Sequence, residues 1–127
     1  MTDAGARRLL VAAALSGAVA VAAGAFGAHG LRDAVTPERL DVWRTGAAYH
    51  LAHALAGLFA AHAGQTSRWS RRAGALFLAG TVLFSGSLYA LVLLDAGWLG
   101  AVTPLGGVAL IAGWLCLAGS ARDARPG

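Results

Sequence analysis

Residues 9–31 read LLVAAALSGAVAVAAGAFGAHGL, a run of 23 residues between Arg8 and Arg32 without a single charge. A helix needs about 20 mostly apolar residues to cross about 30 Å of hydrocarbon, so this run is long enough to span a membrane. Three more uncharged runs of 23, 22 and 26 residues follow. The sequence therefore predicts four membrane helices, at about residues 9–28, 45–63, 73–94 and 104–121.

The composition of the 127 residues agrees with this interpretation, because 57% are hydrophobic and only 13% are charged. A soluble domain has about 45–50% apolar and about 25% charged residues, and disordered chains are poor in apolar residues. No stretch alternates with the period of a strand, and an open sheet would leave backbone groups unpaired in lipid. We expect an all-α protein, an integral membrane antiparallel four-helix bundle that forms one domain over residues 1–127.

The distribution of arginine predicts the orientation of the bundle. Seven arginines lie on the side of the two termini and the second loop, and three lie on the other side, which also carries four acidic residues. The positive-inside rule then places both termini in the cytoplasm. The net charge of +4 is scattered over short loops without a basic stripe, so we expect lipid as the partner, with a homo-oligomer or a larger membrane complex, and no nucleic acid.

Small residues recur at positions where helices can approach closely. The first helix has one every four residues, and three glycines of the fourth helix belong to the same group. These residues are Ser16, Ala20, Gly24, Ala28, Gly106, Gly107 and Gly113. Small side chains let membrane helices pack backbone to backbone. The same chemistry serves packing inside one bundle and contact between copies, so both interpretations remain open.

The polar residues within the predicted spans and at their outer ends form a second group, which we expect in the outer half of the bundle. They are His29, Tyr49, His50, His53, Ser85, Ser87, Tyr89 and Thr103. Polar side chains in hydrocarbon need partners and commonly bond across helices. A pocket for a small molecule or a lipid headgroup, and a metal, haem or proton-relay role, are the alternatives. Trp43 is expected as an aromatic anchor at the membrane surface.

Three histidines could form a nitrogen-rich site. His50 and His53 are three positions apart and share a helix face, and His29 ends the preceding helix on the same side. Neutral imidazoles bind zinc, copper or haem iron. Interhelical hydrogen bonds account for the same residues without a ligand, so no metal and no cofactor are assigned.

Signals for catalysis are weak. The chain has no lysine, and Ser85-Gly86-Ser87 lacks the frame of a nucleophile elbow. No carboxylate lies inside a span, whereas proton- and sodium-coupled transporters normally bury acidic groups. We predict no catalytic residues and no enzyme.

Several stretches resemble the YgdD-like family of small membrane proteins, a family of unknown function. They are residues 24–29, GAFGAH; 49–53, YHLAH; 83–89, LFSGSLY; 103–107, TPLGG; and 113–114, GW. The resemblance implies a bacterial inner-membrane protein with about four helices. It supplies no activity, cofactor or catalytic residue. Many members of that family carry Gln at the position of His50, which argues against an obligatory metal pair with His53.

These observations lead to three functional hypotheses. The first is a non-enzymatic accessory or interaction subunit in the bacterial inner membrane. The second is an outer-leaflet binding or redox site for haem, a metal or a quinone-like ligand, built on His29, His50 and His53. The third is a small oligomeric channel or transporter, which would need several copies because thin helices rich in Ala and Gly leave little room for a pore.

Overall fold

The computed structural model describes residues 4–123, and this part of the chain is helical. Four α-helices follow one another: α1 (Ala4–His29), α2 (Pro37–Ala63), α3 (Arg68–Leu94) and α4 (Thr103–Gly119). Two short 3-10 helices, Gly97–Ala101 and Ser120–Asp123, flank α4. The prediction of an all-α bundle is confirmed. Arg125, one of the arginines used to predict the orientation, lies outside the described residues.

The starts of α2 and α3 are fixed by side-chain caps. The Thr36 hydroxyl accepts a hydrogen bond from the Arg39 backbone N–H at 3.2 Å, and Pro37 opens α2. The Ser67 hydroxyl accepts from the Ser70 N–H at 3.2 Å at the start of α3. Both caps satisfy backbone donors that have no partner in the first turn of a helix. The polar segment before residue 45 is therefore continuous with the second predicted span.

The helices run antiparallel, and α2 and α3 form the central pair. Here α1 packs mainly against α2 and touches α3, whereas α4 packs mainly against α3. Large apolar side chains cover the outside, among them Leu15 (63% exposed), Val82 (71%) and Leu115 (68%). Such a surface suits hydrocarbon and would be costly in water.

Three helical segments are long and apolar enough to cross a membrane, judged by length and composition within residues 4–123. They are α1, α3 and the segment Gly97–Asp123 that contains α4. The second predicted span, 45–63, lies in a helix of sufficient length, but α2 also contains four charged residues and three histidines. Its central place accounts for two of the histidines, because neighbouring helices cover His50 and His53, whereas the charged residues lie exposed or half-buried in its first turns.

The packing face of α1 differs from the expected four-residue stripe. Of that stripe, Ala20 is buried and Ser16 is half-buried, but Gly24 and Ala28 are exposed. The buried residues of α1 are Ala6, Ala13, Ala20, Ala23 and Gly27. A four-residue step rotates by about 40° around a helix, whereas a seven-residue step drifts by only about 20°. A straight helix therefore packs along 6, 13, 20 and 27 and turns the later members of the expected stripe outward.

The closest approach of two backbones lies between α3 and α4. A Cβ at Gly106 would overlap the backbone of Phe84, and one at Gly113 would lie 2.7 Å from the Phe77 ring. Both glycines are buried, and the leucine between them, Leu110, packs against Gly80. Gly107 is different, since a Cβ there would be 3.8 Å from the nearest atom. Two of the three glycines predicted for packing thus hold α4 against α3.

The two ends of the bundle carry different charges. Among the described residues, one end has six arginines: Arg7, Arg8, Arg68, Arg71, Arg72 and Arg122. At this end the Ser67 hydroxyl donates to the Asp123 carboxylate at 2.5 Å, which joins the C-terminal 3-10 helix to the start of α3. At the other end Arg39 pairs with Asp95 at 3.1 Å. The structure therefore groups the arginines as the helix order requires.

Candidate functional site

The two central histidines of α2 face opposite sides of the α2–α3 pair. His50 is the fourteenth of the 27 residues of α2 and contacts α1 and α3, whereas His53 contacts α3 and α4. Three residues turn a helix by about 300°, which separates the two rings by about 60° and is enough to direct them to different neighbours. The predicted polar cluster is thus divided into two sites, which we call the His50 side and the His53 side.

On the His50 side, an imidazole lies between two hydroxyl groups. Its Nε2 is 3.0 Å from the Ser16 Oγ of α1, and its Nδ1 is 2.9 Å from the Tyr89 hydroxyl of α3. Ser16 is the thirteenth of the 26 residues of α1 and Tyr89 the twenty-second of the 27 residues of α3, so this hydrogen-bonded chain joins the middle of α1 and α2 to the last two turns of α3.

The aromatic rings beside this chain fix the position of Tyr89. The Tyr89 ring is 4.5 Å from the Trp43 ring, measured between centroids. Trp43 is only 5% exposed, and its indole N–H donates to the Ala23 carbonyl of α1 at 2.8 Å. The expectation that Trp43 is a surface anchor is therefore wrong. Gly27 makes room for it, because a Cβ there would lie 2.6 Å from Trp43 Cδ1.

A groove of about 470 Å³ lies between α1 and α3 on the His50 side. Its volume is within the range of small-molecule sites, about 300–1,000 Å³. Its walls are mostly aliphatic, and no acidic or basic side chain other than His50 and Tyr89 lines it. The polar lining residues are Ser16, His50, Thr81, Ser85 and Tyr89. The Ser85 hydroxyl is already engaged, since it donates to the Gly46 carbonyl of α2 at 2.7 Å.

On the His53 side, the partners of the imidazole determine which nitrogen carries the proton. His53 Nδ1 lies 2.7 Å from the Tyr49 carbonyl, and the Trp114 N–H donates to Nε2 at 3.0 Å. A carbonyl only accepts and an indole N–H only donates. The ring is therefore neutral with its hydrogen on Nδ1, and the lone pair of Nε2, with which it would bind a metal, is occupied by Trp114.

Aromatic rings enclose His53 on several sides. Its ring lies 5.6 Å from Phe77, 5.8 Å from Trp114 and 6.0 Å from Tyr49. Tyr49, His53 and Trp114 also line a smaller groove of about 320 Å³ between α2 and α4. Because the polar atoms of His53 are already paired, this groove presents mainly ring surfaces.

The remaining predicted site residues lie apart from both histidines. The Ser87 hydroxyl donates to the Phe84 carbonyl at 2.9 Å and is 2.6 Å from the Thr103 hydroxyl, which links α3 to the start of α4. His29 is exposed at the end of α1. Within residues 4–123 no group of three or more His, Cys, Asp or Glu side chains is arranged to hold a metal ion. The expectation of a three-histidine site from His29, His50 and His53 is therefore wrong.

Sequence reasoning missed three residues of these sites. Ser16 was assigned to helix packing, yet its hydroxyl is hydrogen-bonded to His50. Because Ser16 lies at the middle of the first span, opposite the middle of α2, its position could have indicated this contact. Thr81 lines the groove, and Trp114 pairs with His53. A tryptophan in the middle of an apolar helix needs a partner for its N–H, and this requirement could have identified Trp114.

Comparison with known proteins places the chain in a family. A family model described as a protein of unknown function (DUF423) matches residues 23–107. The UPF0382 membrane protein YwdK of Bacillus subtilis is 47% identical over 112 residues, which cover 85% of this chain and 90% of that protein. The UPF0382 inner membrane protein YgdD of Escherichia coli is 43% identical over 124 residues, 95% of each chain.

A third relative, the UPF0382 membrane protein SAB0533 of Staphylococcus aureus, is 44% identical over 109 residues, or 85% of this chain and 89% of that protein. No solved structure matches the chain significantly. The family model and these relatives cover most of the chain, and the residues matched by the family model include both His50 and His53. The protein is a membrane protein and belongs to the DUF423 (UPF0382) family.

Proposed function

We propose that this membrane protein is a non-enzymatic accessory subunit that associates with another membrane protein, or with a second copy, through the outer face of α1. The observation that carries the proposal is a surface that internal packing leaves unused. Six exposed residues lie along this face at spacings of three and four: Val11, Ala14, Ala18, Val21, Ala25 and Ala28.

Four of these six residues are alanine, so the face is shallow along its length. In lipid, helices associate by close packing of small residues and not by a hydrophobic driving force. The outer faces of α2 and α4 instead carry bulky residues, such as Phe59 at 61% and Leu115 at 68% exposure. The face of α1 is thus better suited to receive another helix than the outer faces of α2 and α4.

The positions of the acidic residues favour a non-enzymatic, non-transporting role. Among residues 4–123 they lie in the loops, in the first two turns of α2 or in the last 3-10 helix, as Asp33, Glu38, Asp41, Asp95 and Asp123. Ion-coupled transporters place carboxylates inside their bundles. The hydrogen bonds within the bundle also satisfy most of its buried polar groups, which fits a structural role for them.

The proposal includes four membrane passes with both termini in the cytoplasm. Since α2 lies between α1 and α3, is of similar length and runs antiparallel to both, it would share their depth in the bilayer. The end of the bundle with more arginines would face the cytoplasm. A reporter fused after Gly127 should then be active only if it is of a kind that works in the cytoplasm; activity of a periplasmic reporter there would contradict this orientation.

Cysteine cross-linking tests the outer face of α1. In a Cys116→Ser background, Ala18→Cys and Ala25→Cys should each give a cross-linked product in native membranes, either with a second copy or with another protein. Ala52→Cys is the matched control, because Ala52 is an exposed alanine in the middle of α2. Equal cross-linking at all three positions, or monomer alone, would contradict an accessory role through α1.

A further inference from the structure

The hydroxyl–imidazole–hydroxyl chain on the His50 side contains more hydrogen-bond donors than it uses. A neutral imidazole has one N–H donor and one acceptor, and each hydroxyl has one hydrogen. Ser16, His50 and Tyr89 together supply three hydrogens, and their two mutual hydrogen bonds use two of them. Whichever ring nitrogen carries the proton, one hydroxyl hydrogen remains, and residues 4–123 supply no further partner for it.

Thr81 adds a second unused donor to the same groove. Its side chain is 93% buried, at 7% exposure, and lines the groove beside His50. Threonine in a helix commonly donates to the carbonyl four residues earlier. Within the described part of the chain, the Thr81 hydroxyl makes no hydrogen bond. A valine of nearly the same shape would avoid this cost, and a hydrogen-bond acceptor in the groove would offset it.

The walls of the groove define the kind of partner. Aliphatic side chains form most of the surface, including Leu15, Val19, Leu78 and Val82, and no Asp, Glu, Lys or Arg lines it. It lies between two helices that are apolar enough to span a membrane, so its mouth opens to hydrocarbon. An occupant must therefore be lipid-soluble and uncharged, because a charge would have no counter-ion there. It must also accept hydrogen bonds.

We propose that this groove binds the carbonyl-bearing head of a neutral, lipid-soluble molecule, whose oxygens accept hydrogen bonds from Thr81 and from the Ser16–His50–Tyr89 chain. A carbonyl oxygen has two lone pairs and no hydrogen, which matches a site that offers donors. Two sources share this chemistry: a quinone, and the acyl ester of a membrane lipid. The site shares no residue with the outer face of α1, so it can fail while the accessory role holds.

Quinone binding is tested with the full chain in nanodiscs and decylubiquinone as the probe. Trp43 is a built-in reporter, since its ring lies 4.5 Å from that of Tyr89 and quinones quench tryptophan fluorescence. We expect a saturable quenching component. Thr81→Val should weaken binding roughly three- to ten-fold, the range for one hydrogen bond, and His50→Leu should abolish the saturable component. His53→Leu, on the other side of α2, is the control and should leave it unchanged.

Native mass spectrometry of the purified chain tests the lipid source. If an acyl ester occupies the groove, decylubiquinone gives no saturable quenching, and the wild-type chain retains a phospholipid that Thr81→Val loses and His53→Leu keeps. This result supports the same carbonyl chemistry and assigns it to lipid. The proposal is overturned if Thr81→Val and His50→Leu bind both probes as the wild type does, or if the wild type binds neither.

Thermal unfolding tests whether Thr81→Val weakens ligand binding only because it destabilises the fold. Because the Thr81 hydroxyl has no partner in the described chain, Thr81→Val should leave the Tm unchanged or raise it in detergent without added ligand. A Tm lowered by several degrees would mean that the hydroxyl has a partner within the protein, and the proposal would then lose its second donor.

Discussion

The His50 side and the His53 side of α2 are each centred on a histidine, but the two imidazoles are held by different kinds of partner. His53 is held by a carbonyl and an indole N–H, which fix one tautomer. His50 is held by two hydroxyls, each of which can donate or accept. The difference shows that the partners of a buried histidine, more than its own chemistry, decide whether it is locked or adjustable. An imidazole held in one tautomer stabilises the bundle, whereas an imidazole that can change its tautomer can respond to a ligand.

The largest effect on this comparison should come from Gly106→Ala. The added Cβ would overlap the Phe84 backbone, so α4 must move away from α3 and Trp114 must lose its place over His53. Overpacking of this kind costs about 3 kcal/mol. Circular dichroism and Trp fluorescence during thermal unfolding in detergent would report the loss.

Gly107→Ala is the matched control, because a Cβ there has 3.8 Å of space, and it should unfold close to the wild type. If Gly106→Ala and Gly107→Ala behave alike, the close approach of α3 and α4 does not hold the His53 side together. Decylubiquinone quenching should survive in Gly106→Ala if the His50 side is independent.

A smaller effect is expected from His53→Leu. The substitution leaves the Trp114 N–H without its acceptor in an apolar setting, which costs about 2 kcal/mol. Adding Trp114→Phe should recover part of this loss, since the unpaired donor is then removed, and the double-mutant cycle measures the coupling. His29→Ala, at an exposed position, should leave the free energy of unfolding nearly unchanged. Additive effects of His53→Leu and Trp114→Phe would refute the locked pair.

The smallest effect should come from His50→Gln. Glutamine keeps one acceptor and adds donors, so it can still bridge Ser16 and Tyr89, and we expect a loss below about 1 kcal/mol. His50→Leu, which removes both bonds, should cost more. Chemical denaturation of the two variants side by side would decide the order. A larger loss in His50→Gln than in His50→Leu would mean that the hydroxyls are not the partners that matter.

The sequence predicted the helices better than their contacts. Uncharged runs located all four helices because the absence of charge is a local property of the chain. Which face of a helix packs inward depends on its neighbours. A stripe of Ser16, Ala20, Gly24 and Ala28 satisfies the four-residue spacing, but its rotation around the axis carries Gly24 and Ala28 to the outside.

The sequence identified individual residues of the candidate site, but it did not predict how they are arranged in space. His50, His53 and Tyr89 were found because polar side chains are rare in apolar segments. Their division between two sides of α2 depends on the rotation of one helix relative to two others, which spacing alone does not give. Trp43 was misassigned for a similar reason, since its place near a charged segment suggested the surface, whereas the carbonyl of Ala23 and the space at Gly27 draw it inward.

The central place of the least apolar helix has a consequence for biogenesis. On its own, α2 would present His50, His53 and its charged first turns to the lipid as it leaves the ribosome and enters the insertion machinery. Charged and polar side chains make such a segment a poor independent substrate for insertion. His50 is covered beside α1 and α3, and His53 beside α3 and α4, so we expect α2 to enter the bilayer as part of a hairpin, after α1 has arrived or together with α3.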